Sequence, residues 1–162
     1  IVRVLPIGLA FALSAPAIAE TQRSHPDGLS HYNLLAGGFA GGADLGMNRQ
    51  FWGYSVLPML NWMTANAPVR QNTYWHDVLG DALNIYIRDG RMPWGFGNTG
   101  VGEDAIRNSD LGILVEEPHM RLYEGVFWTN YGTTRPAYVR THEGVPLVTA
   151  YKRPGAAFRD LR

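Results

Sequence analysis

The sequence predicts a small layered α/β domain with a short mixed sheet, a C-terminal β-hairpin and an apolar helix at the N-terminus. Stretches with helical spacing of apolar residues alternate with short runs rich in β-branched and aromatic residues. Near the C-terminus two alternating segments meet at Glu143-Gly144, a pair that suits a hairpin turn. The order helix, strand, helix, strand, helix, hairpin is that of a layered α/β domain, and 162 residues suffice for one domain.

The first apolar run, residues 4–19, contains no charged residue and follows Arg3. A secretory signal also has a basic start and an apolar run, and its small-x-small cleavage site would be residues 17–19. The alternative is the end of a membrane-spanning helix, which needs about 20 apolar residues. Because the chain does not begin with methionine, we favour a retained membrane helix, although Pro6 and Pro16 would interrupt its hydrogen bonds.

This interpretation divides the chain into three parts. Residues 1–19 are the membrane anchor, residues 20–54 an interfacial segment rich in glycine and aromatic residues, and residues 55–162 an extracytoplasmic α/β domain. The polar, turn-forming residues between 20 and 28 are typical of a chain that leaves the membrane interface. Only 17% of the residues are charged, against about 25% in average domains, which indicates that some surface meets lipid or protein.

The interfacial segment contains AGGFAGG, residues 36–42, which has the glycines but not the lysine of a phosphate-binding loop. We predict that these glycines allow a tight turn and close packing, after a short helix that Ser30 caps and Gly37-Gly38 ends. Aromatic rings with few charges around them favour contact with a membrane or a protein. The predicted interface residues are Tyr32, Phe39, Phe51, Trp52 and Tyr54.

The α/β part begins with a predicted helix of about three turns that starts at Ser55, its N-cap, and ends before Pro68. Pro58 falls in the first turn, where proline is tolerated. The remaining predicted elements are a strand at 72–78, a helix at 78–90, a loop at 91–102, a buried strand at 111–117, a helix at 118–132 and the hairpin at 136–154.

Four polar side chains follow the two central strands of the predicted sheet. His76 and Asp77 end the first of these strands, and Glu116 and His119 come at the end of the second. If the two strands are parallel neighbours, both pairs lie at one edge of the sheet, where α/β proteins often keep their sites. The four residues are candidates for a divalent metal site. Asp77 equally suits the N-cap of the next helix, and Glu116 suits the dipole of the helix that follows it.

The composition excludes several classes of function. Fourteen basic residues balance fourteen acidic ones, so no net field attracts nucleic acid or an anionic substrate. The absence of cysteine excludes disulfides, thiolate nucleophiles and cysteine-based metal sites. No glycine-x-serine-x-glycine motif occurs, so the nucleophile elbow of the α/β-hydrolases is excluded as well. These patterns predict no cofactor and no catalytic residue.

The stretch HYNLLAGGFAGGADLGMNRQFWGYS, residues 31–55, resembles the start of a known kind of extracytoplasmic domain. It is similar to the C-terminal domain of bacterial membrane glycosyltransferases in the protein O-mannosyltransferase and aminoarabinose-transferase superfamily. The closing GVPLVTAYKRP, residues 144–154, is similar to the terminal strand of such domains, so the resemblance covers residues 26–154. The matching positions at its start are Tyr32, Asn33, Leu35, Gly37 and Gly38, followed by Trp52 and Gly53.

The resemblance implies a donor sugar linked to polyprenyl phosphate and a catalytic acid in an early loop between transmembrane helices. This chain lacks that catalytic segment, so the resemblance implies a fragment of a larger enzyme, or a reused domain, that performs no chemistry itself. We expect it to be membrane-anchored, to face the periplasm and to contact the membrane and other membrane-protein segments. Two alternatives stay open: an accessory subunit that docks onto a large membrane complex, and a periplasmic binder of a metal ion or a carbohydrate.

Overall fold

The computed structural model describes residues 4–66, 72–75, 80–92, 97–98 and 100–156. These residues contain α-helices and a mixed β-sheet, as the sequence predicts. The helices are α1 (Val4–Ser24), α2 (Gly38–Asp44), α3 (Leu60–Asn66), α4 (Gly80–Arg88), α5 (Glu103–Arg107) and α6 (Arg121–Tyr131). The strands are β1 (Asn72–Trp75), β2 (Gly97–Asn98), β3 (Leu111–Val115), β4 (Tyr138–His142) and β5 (Val145–Lys152).

The sheet has the strand order β2-β1-β3-β5-β4. β1 is parallel to both of its neighbours, and β5 is antiparallel to both of its own. The predicted hairpin is confirmed, because His142 pairs with Val145 and only Glu143 and Gly144 lie between them. Both turn residues have positive φ, 47° and 80°, as the tight turn of a two-residue hairpin requires.

Helices cover both faces of the sheet. Tyr74 in β1 has its ring 5.4 Å from that of Phe127 in α6, so this residue faces α6. Its neighbour Trp75 points to the opposite face, where its ring stacks on Tyr86 of α4 at 6.3 Å. The sheet therefore lies between α6 on one side and α4 on the other, which is the layered arrangement that the sequence predicts.

The core is built around β3, which is buried at every position. Gly112 lets α6 approach the sheet, because a Cβ added there would lie 1.9 Å from Cε1 of Phe127. Fully buried apolar side chains include Val56, Met59, Met63, Tyr74, Ile106, Leu111, Ile113, Met120, Phe127 and Leu147.

The predicted short helix between Ser30 and Gly37 is wrong. The chain forms two 3₁₀ turns there, Gly28–Ser30 and Leu34–Ala36, and α2 begins where the helix was expected to end. The Ser30 hydroxyl bonds to the Tyr54 hydroxyl at 2.8 Å instead of capping a helix. Gly37, with φ of 80°, ends the second 3₁₀ turn in the left-handed conformation, and α2 starts after it.

The glycines of residues 36–42 serve close packing, as predicted. A Cβ on Gly41 would lie 1.9 Å from the carbonyl oxygen of Ala36, and one on Gly42 would lie 2.2 Å from Cδ2 of Tyr32. Distances under 3 Å are not tolerated, so no larger residue fits at either position without a shift of its surroundings. These glycines hold α2 against the turn before it.

The helix predicted to start at Ser55 forms in two parts. A 3₁₀ segment, Tyr54–Met59, precedes α3, and Gly53 with φ of 64° occupies the N-cap position that was expected for Ser55. Pro58 lies inside the 3₁₀ segment, where its missing N–H removes one donor. The predicted loop at 91–102 contains the short strand β2, and the sequence analysis missed α5 altogether.

At the N-terminus the predicted helix is present as α1. Among the described residues, no helix is both long and apolar enough to span a membrane. The polar C-terminal end of α1, which contains Glu20 and Arg23, extends past the predicted anchor boundary at residue 19.

Candidate functional site

Two carboxylates lie where β3 ends, at the part of the predicted polar edge that the structure describes. Glu116 and Glu117 follow the last residue of β3, and the chain between α2 and α3 supplies Arg49 and Gln50. Arg49 lies 3.5 Å from Glu116, and the Gln50 amide donates a hydrogen bond of 2.6 Å to Glu117. Together with Thr149 of β5, which donates to Glu116 at 3.3 Å, these residues form what we call the carboxylate cluster.

The carboxylate cluster lies at a topological switch point. From β1 the chain continues through α4 to β2, on one side of β1, whereas from β3 it continues through α6 to β4, on the other side. β1 and β3 are parallel neighbours, as the sequence analysis assumed, so their carboxyl ends share one edge. In open α/β sheets, ligands bind in the crevice outside the carboxyl ends of two such strands.

Burial dominates the electrostatics of the cluster. It raises the pKa of the Glu116 carboxyl above its usual 4.5, although the Arg49 guanidinium and the Thr149 hydroxyl act in the opposite direction. Gln50 is fully buried, and its Oε1 has no hydrogen-bond donor among the described residues. The cluster is therefore a partly desolvated group of charges, with polar capacity that the described chain does not satisfy.

The four candidate metal ligands are only partly brought together. His119 lies 3.5 Å from Glu117, but its side chain is about half exposed and belongs to the rim of the cluster. His76 and Asp77 lie outside the described residues. In the part of the chain that the structure describes, no group of three or more His, Asp or Glu side chains could hold a metal ion.

The five predicted interface residues differ in their surroundings. Phe39 is 2% exposed and packs inside the chain, stacked on His142 at 4.1 Å. Tyr32 and Tyr54 are half-buried and bond within the chain, to the Asn48 carbonyl and to Ser30. Phe51 is also half-buried, whereas Trp52 is 83% exposed and has a positive φ of 53°, which is unusual for a bulky residue. Only Trp52 of the five presents most of its side chain to the surroundings.

Several large apolar side chains of α1 are exposed. We call these side chains the apolar helix surface; they are Ile7, Leu9, Phe11, Leu13 and Ile18, each at least 56% exposed. At about 100° per residue, Leu9 and Leu13 point to the side of the helix opposite Ile7, Phe11 and Ile18. A helix that is apolar on all sides is normally enclosed by apolar surroundings.

A buried ionic network, which the sequence analysis missed, ties the start of the interfacial segment to the hairpin. Asp27 is 1% exposed, pairs with the Arg140 guanidinium and accepts a hydrogen bond of 2.9 Å from Nδ1 of His142. We call these three residues the Asp27 network. More than 110 residues separate Asp27 from its partners along the chain. Alternation along β4 was the one available signal, because it places Arg140 and His142 on the same face.

Comparison with known proteins identifies no relative. No protein-family model, curated protein or solved structure matches the chain.

Proposed function

We propose that this chain is a non-catalytic, membrane-anchored domain that faces the periplasm, of the kind that bacterial membrane glycosyltransferases with lipid-linked sugar donors carry at their C-terminus. The observation that carries the proposal is the apolar helix surface. Five large apolar side chains on opposite sides of α1 are exposed, whereas all five residues of β3 are buried. Contiguous exposed apolar surface on a folded protein marks contact with a membrane or another protein.

Further exposed apolar side chains support a docking role for the interfacial segment. Leu34 is 66% exposed and Leu35 is 98% exposed, and both lie in the 3₁₀ turn before α2. Trp52 is held outwards in a strained backbone conformation. Leu and Trp side chains of this kind are typical of surfaces that meet the bilayer interface or a membrane protein.

In this proposal the domain packs over the membrane part of the protein and shapes access to it. The domain contributes the sheet, with α4 and α6 on its two faces, and the carboxylate cluster at the end of β3.

Replacement of the apolar helix surface tests the docking role. Phe11→Ser together with Leu13→Ser should move the chain from the membrane fraction to the supernatant, because two apolar side chains no longer contribute to membrane contact. Ile85→Ser is the matched control, since Ile85 is 44% exposed on α4 and lies outside the proposed surface. Equal membrane association of the double variant and the wild type would contradict the proposal.

Mass spectrometry of the native membrane preparation separates the two docking hypotheses. A much longer chain with further transmembrane segments supports a glycosyltransferase domain, whereas a short chain that travels with other subunits supports an accessory subunit of a membrane complex. An assay of the chain by itself with a lipid-linked sugar donor tests the absence of chemistry. Sugar transfer by the chain alone would overturn the non-catalytic assignment.

A second candidate function is the binding of a simple sugar at the carboxylate cluster. It is favoured by one specific observation, the position of the cluster at the switch point between β1 and β3. Calorimetry with a panel of simple sugars and divalent ions tests it, with Glu116→Gln as the site variant and Glu103→Gln, at an exposed position of α5, as the control. No heat of binding across the panel would exclude this function.

A further inference from the structure

A small pocket lies between the C-terminal half of α1, the 3₁₀ turn that contains Leu34 and the tip of the β4–β5 hairpin. Its volume is about 190 Å³, below the range of about 300–1,000 Å³ that is usual for drug-sized ligands. The pocket therefore admits a small group and not a large molecule. Its apolar walls come from Pro16, Ala19 and Leu34, and its polar groups from Glu20, Arg23, His31 and Glu143.

Two carboxylates are fixed in this pocket by contacts within the chain. Glu20 accepts a hydrogen bond of 3.1 Å from the Leu34 N–H through Oε1. Glu143 pairs with the Arg23 guanidinium, also through Oε1. For both residues, Oε2 has no donor in the described part of the chain. The two carboxylates are thus oriented, and each keeps one acceptor oxygen for a ligand.

The pocket has an excess of negative charge. Glu20 and Glu143 contribute two negative charges and Arg23 one positive charge, which leaves one negative charge when histidine is counted as neutral. His31 forms another wall, and both of its buried ring nitrogens lack a hydrogen-bond partner among the described residues. A ligand that carries one positive charge and several N–H donors complements the negative charge and the unprotonated ring nitrogen of His31.

The backbone keeps this pocket open at Gly38. Its φ is 65°, and an added Cβ would lie 3.6 Å from Cε1 of His31 and 3.9 Å from Oε2 of Glu143. Glycine at this position therefore leaves the space between the imidazole and the carboxylate free of side-chain atoms. Gly37 lines the same wall.

We propose that this pocket binds a primary ammonium group on a short carbon chain, held by Glu20 and Glu143 with its carbon atoms against Pro16, Ala19 and Leu34. The ammonium donates to the two free carboxylate oxygens, and its charge neutralises the excess negative charge. Such a group belongs either to the ethanolamine headgroup of a phospholipid or to a free amine. The inference goes beyond the docking function and does not depend on it, because a free amine can be tested without a membrane.

Titration of the full chain with ethanolamine and n-propylamine, followed by NMR, tests the proposal. Saturable shifts of residues around the pocket are expected, and Glu20→Gln and Glu143→Gln should each weaken the affinity about tenfold through loss of a charged acceptor. Arg23→Gln should instead strengthen it about two- to fivefold, because it removes the competing positive charge. Glu103→Gln, in an exposed ion pair on α5, is the matched control and should change nothing.

Three results would overturn the proposal: no saturable shift up to about 100 mM amine, equal binding of propionate or tetramethylammonium, or unchanged affinity in both Gln variants. If Glu143→Gln fails to fold, Glu20→Gln and the opposite effect of Arg23→Gln still decide the matter. Vesicles of phosphatidylethanolamine and of phosphatidylcholine distinguish the two sources. Competition with ethanolamine by the first lipid alone assigns the site to a lipid headgroup, and competition by neither assigns it to a free amine.

Discussion

The sheet and the N-terminal helix are both rich in apolar residues, but β3 buries its apolar side chains and α1 exposes most of its large ones. All five residues of β3 are buried, whereas the large apolar side chains of α1 from Ile7 to Ile18 are more than half exposed. The difference lies in the neighbours: β3 has a strand on each side and helices on both faces, and α1 has no comparable layer around it. Apolar content alone therefore does not determine burial.

The contacts between these two regions are largely polar. Asp27, just after α1, pairs with Arg140 and His142 of β4, and Arg23 at the end of α1 pairs with Glu143 of the hairpin turn. Charged contacts of this kind fix a relative position without the extensive apolar burial seen in the sheet. We call these ion pairs between the end of α1 and the hairpin the junction. Variants of the junction, of the sheet, of the carboxylate cluster and of α1 test how each contributes to stability.

The largest effect is expected at the junction. Asp27→Ala leaves the Arg140 guanidinium buried without its carboxylate, and we expect a loss of about 3–5 kcal/mol in the free energy of unfolding. Urea denaturation measures this change. Asp44→Ala is the control, because Asp44 lies exposed at the end of α2. A loss below about 1 kcal/mol would mean that the junction is not held by the Asp27 network.

A somewhat smaller effect is expected in the centre of the sheet. Gly112→Ala places a Cβ 1.9 Å from Phe127, and we expect a loss of about 1–3 kcal/mol as α6 is displaced from the sheet. Gly125→Ala is the matched control on α6 itself, where an added Cβ meets nothing within 4 Å. That control should stabilise the protein by up to about 1 kcal/mol, since alanine favours helix more than glycine does. Similar thermal midpoints for both variants would contradict the packing described here.

A smaller effect, whose size depends on pH, is expected at the polar edge. Burial raises the pKa of Glu116 in the folded protein above the unfolded value of about 4.5, so its proton is held more tightly after folding. The resulting stabilisation is present below pH 4.5 and is lost as the pH rises through the folded value. Glu116→Gln cannot titrate, so the stability of the wild type should fall relative to this variant above pH 4.5. Urea midpoints between pH 4 and 7 measure the difference, and a constant difference would show that burial does not shift this group.

The smallest effect on stability is expected in the helix. Leu13→Ser changes a side chain that is 71% exposed, so the free energy of unfolding should stay within about 0.5 kcal/mol of the wild type. Chemical denaturation without detergent or lipid measures it. A larger loss would mean that α1 packs on the rest of the chain, and the contrast between helix and sheet would then disappear.

The local pattern of residues was sufficient for much of the fold. Apolar spacing indicated α3 and α4, Pro118 after the apolar run indicated the helix that contains α6, the run itself indicated β3, and alternation around Glu143-Gly144 indicated the hairpin. Two predicted helix N-caps were wrong. The Ser30 hydroxyl bonds to Tyr54 and caps no helix. Ser55 is buried inside the 3₁₀ segment, and Gly53 occupies the N-cap position. A possible capping side chain is visible in a sequence, whereas the partner that it takes in the folded chain is not.

For the candidate site, too, local features could be predicted from the sequence and long-range contacts could not. The sequence alone determined that polar residues would follow the two parallel strands, because the ends of strands can be recognised from their flanking residues. Only the tertiary structure decided that Glu116 meets Arg49, that Asp27 meets Arg140 and His142, and that Glu20 and Glu143 line one pocket. These partners come from distant parts of the chain, and no local propensity encodes them. Their contacts arise when the core packs and brings separate surface segments together.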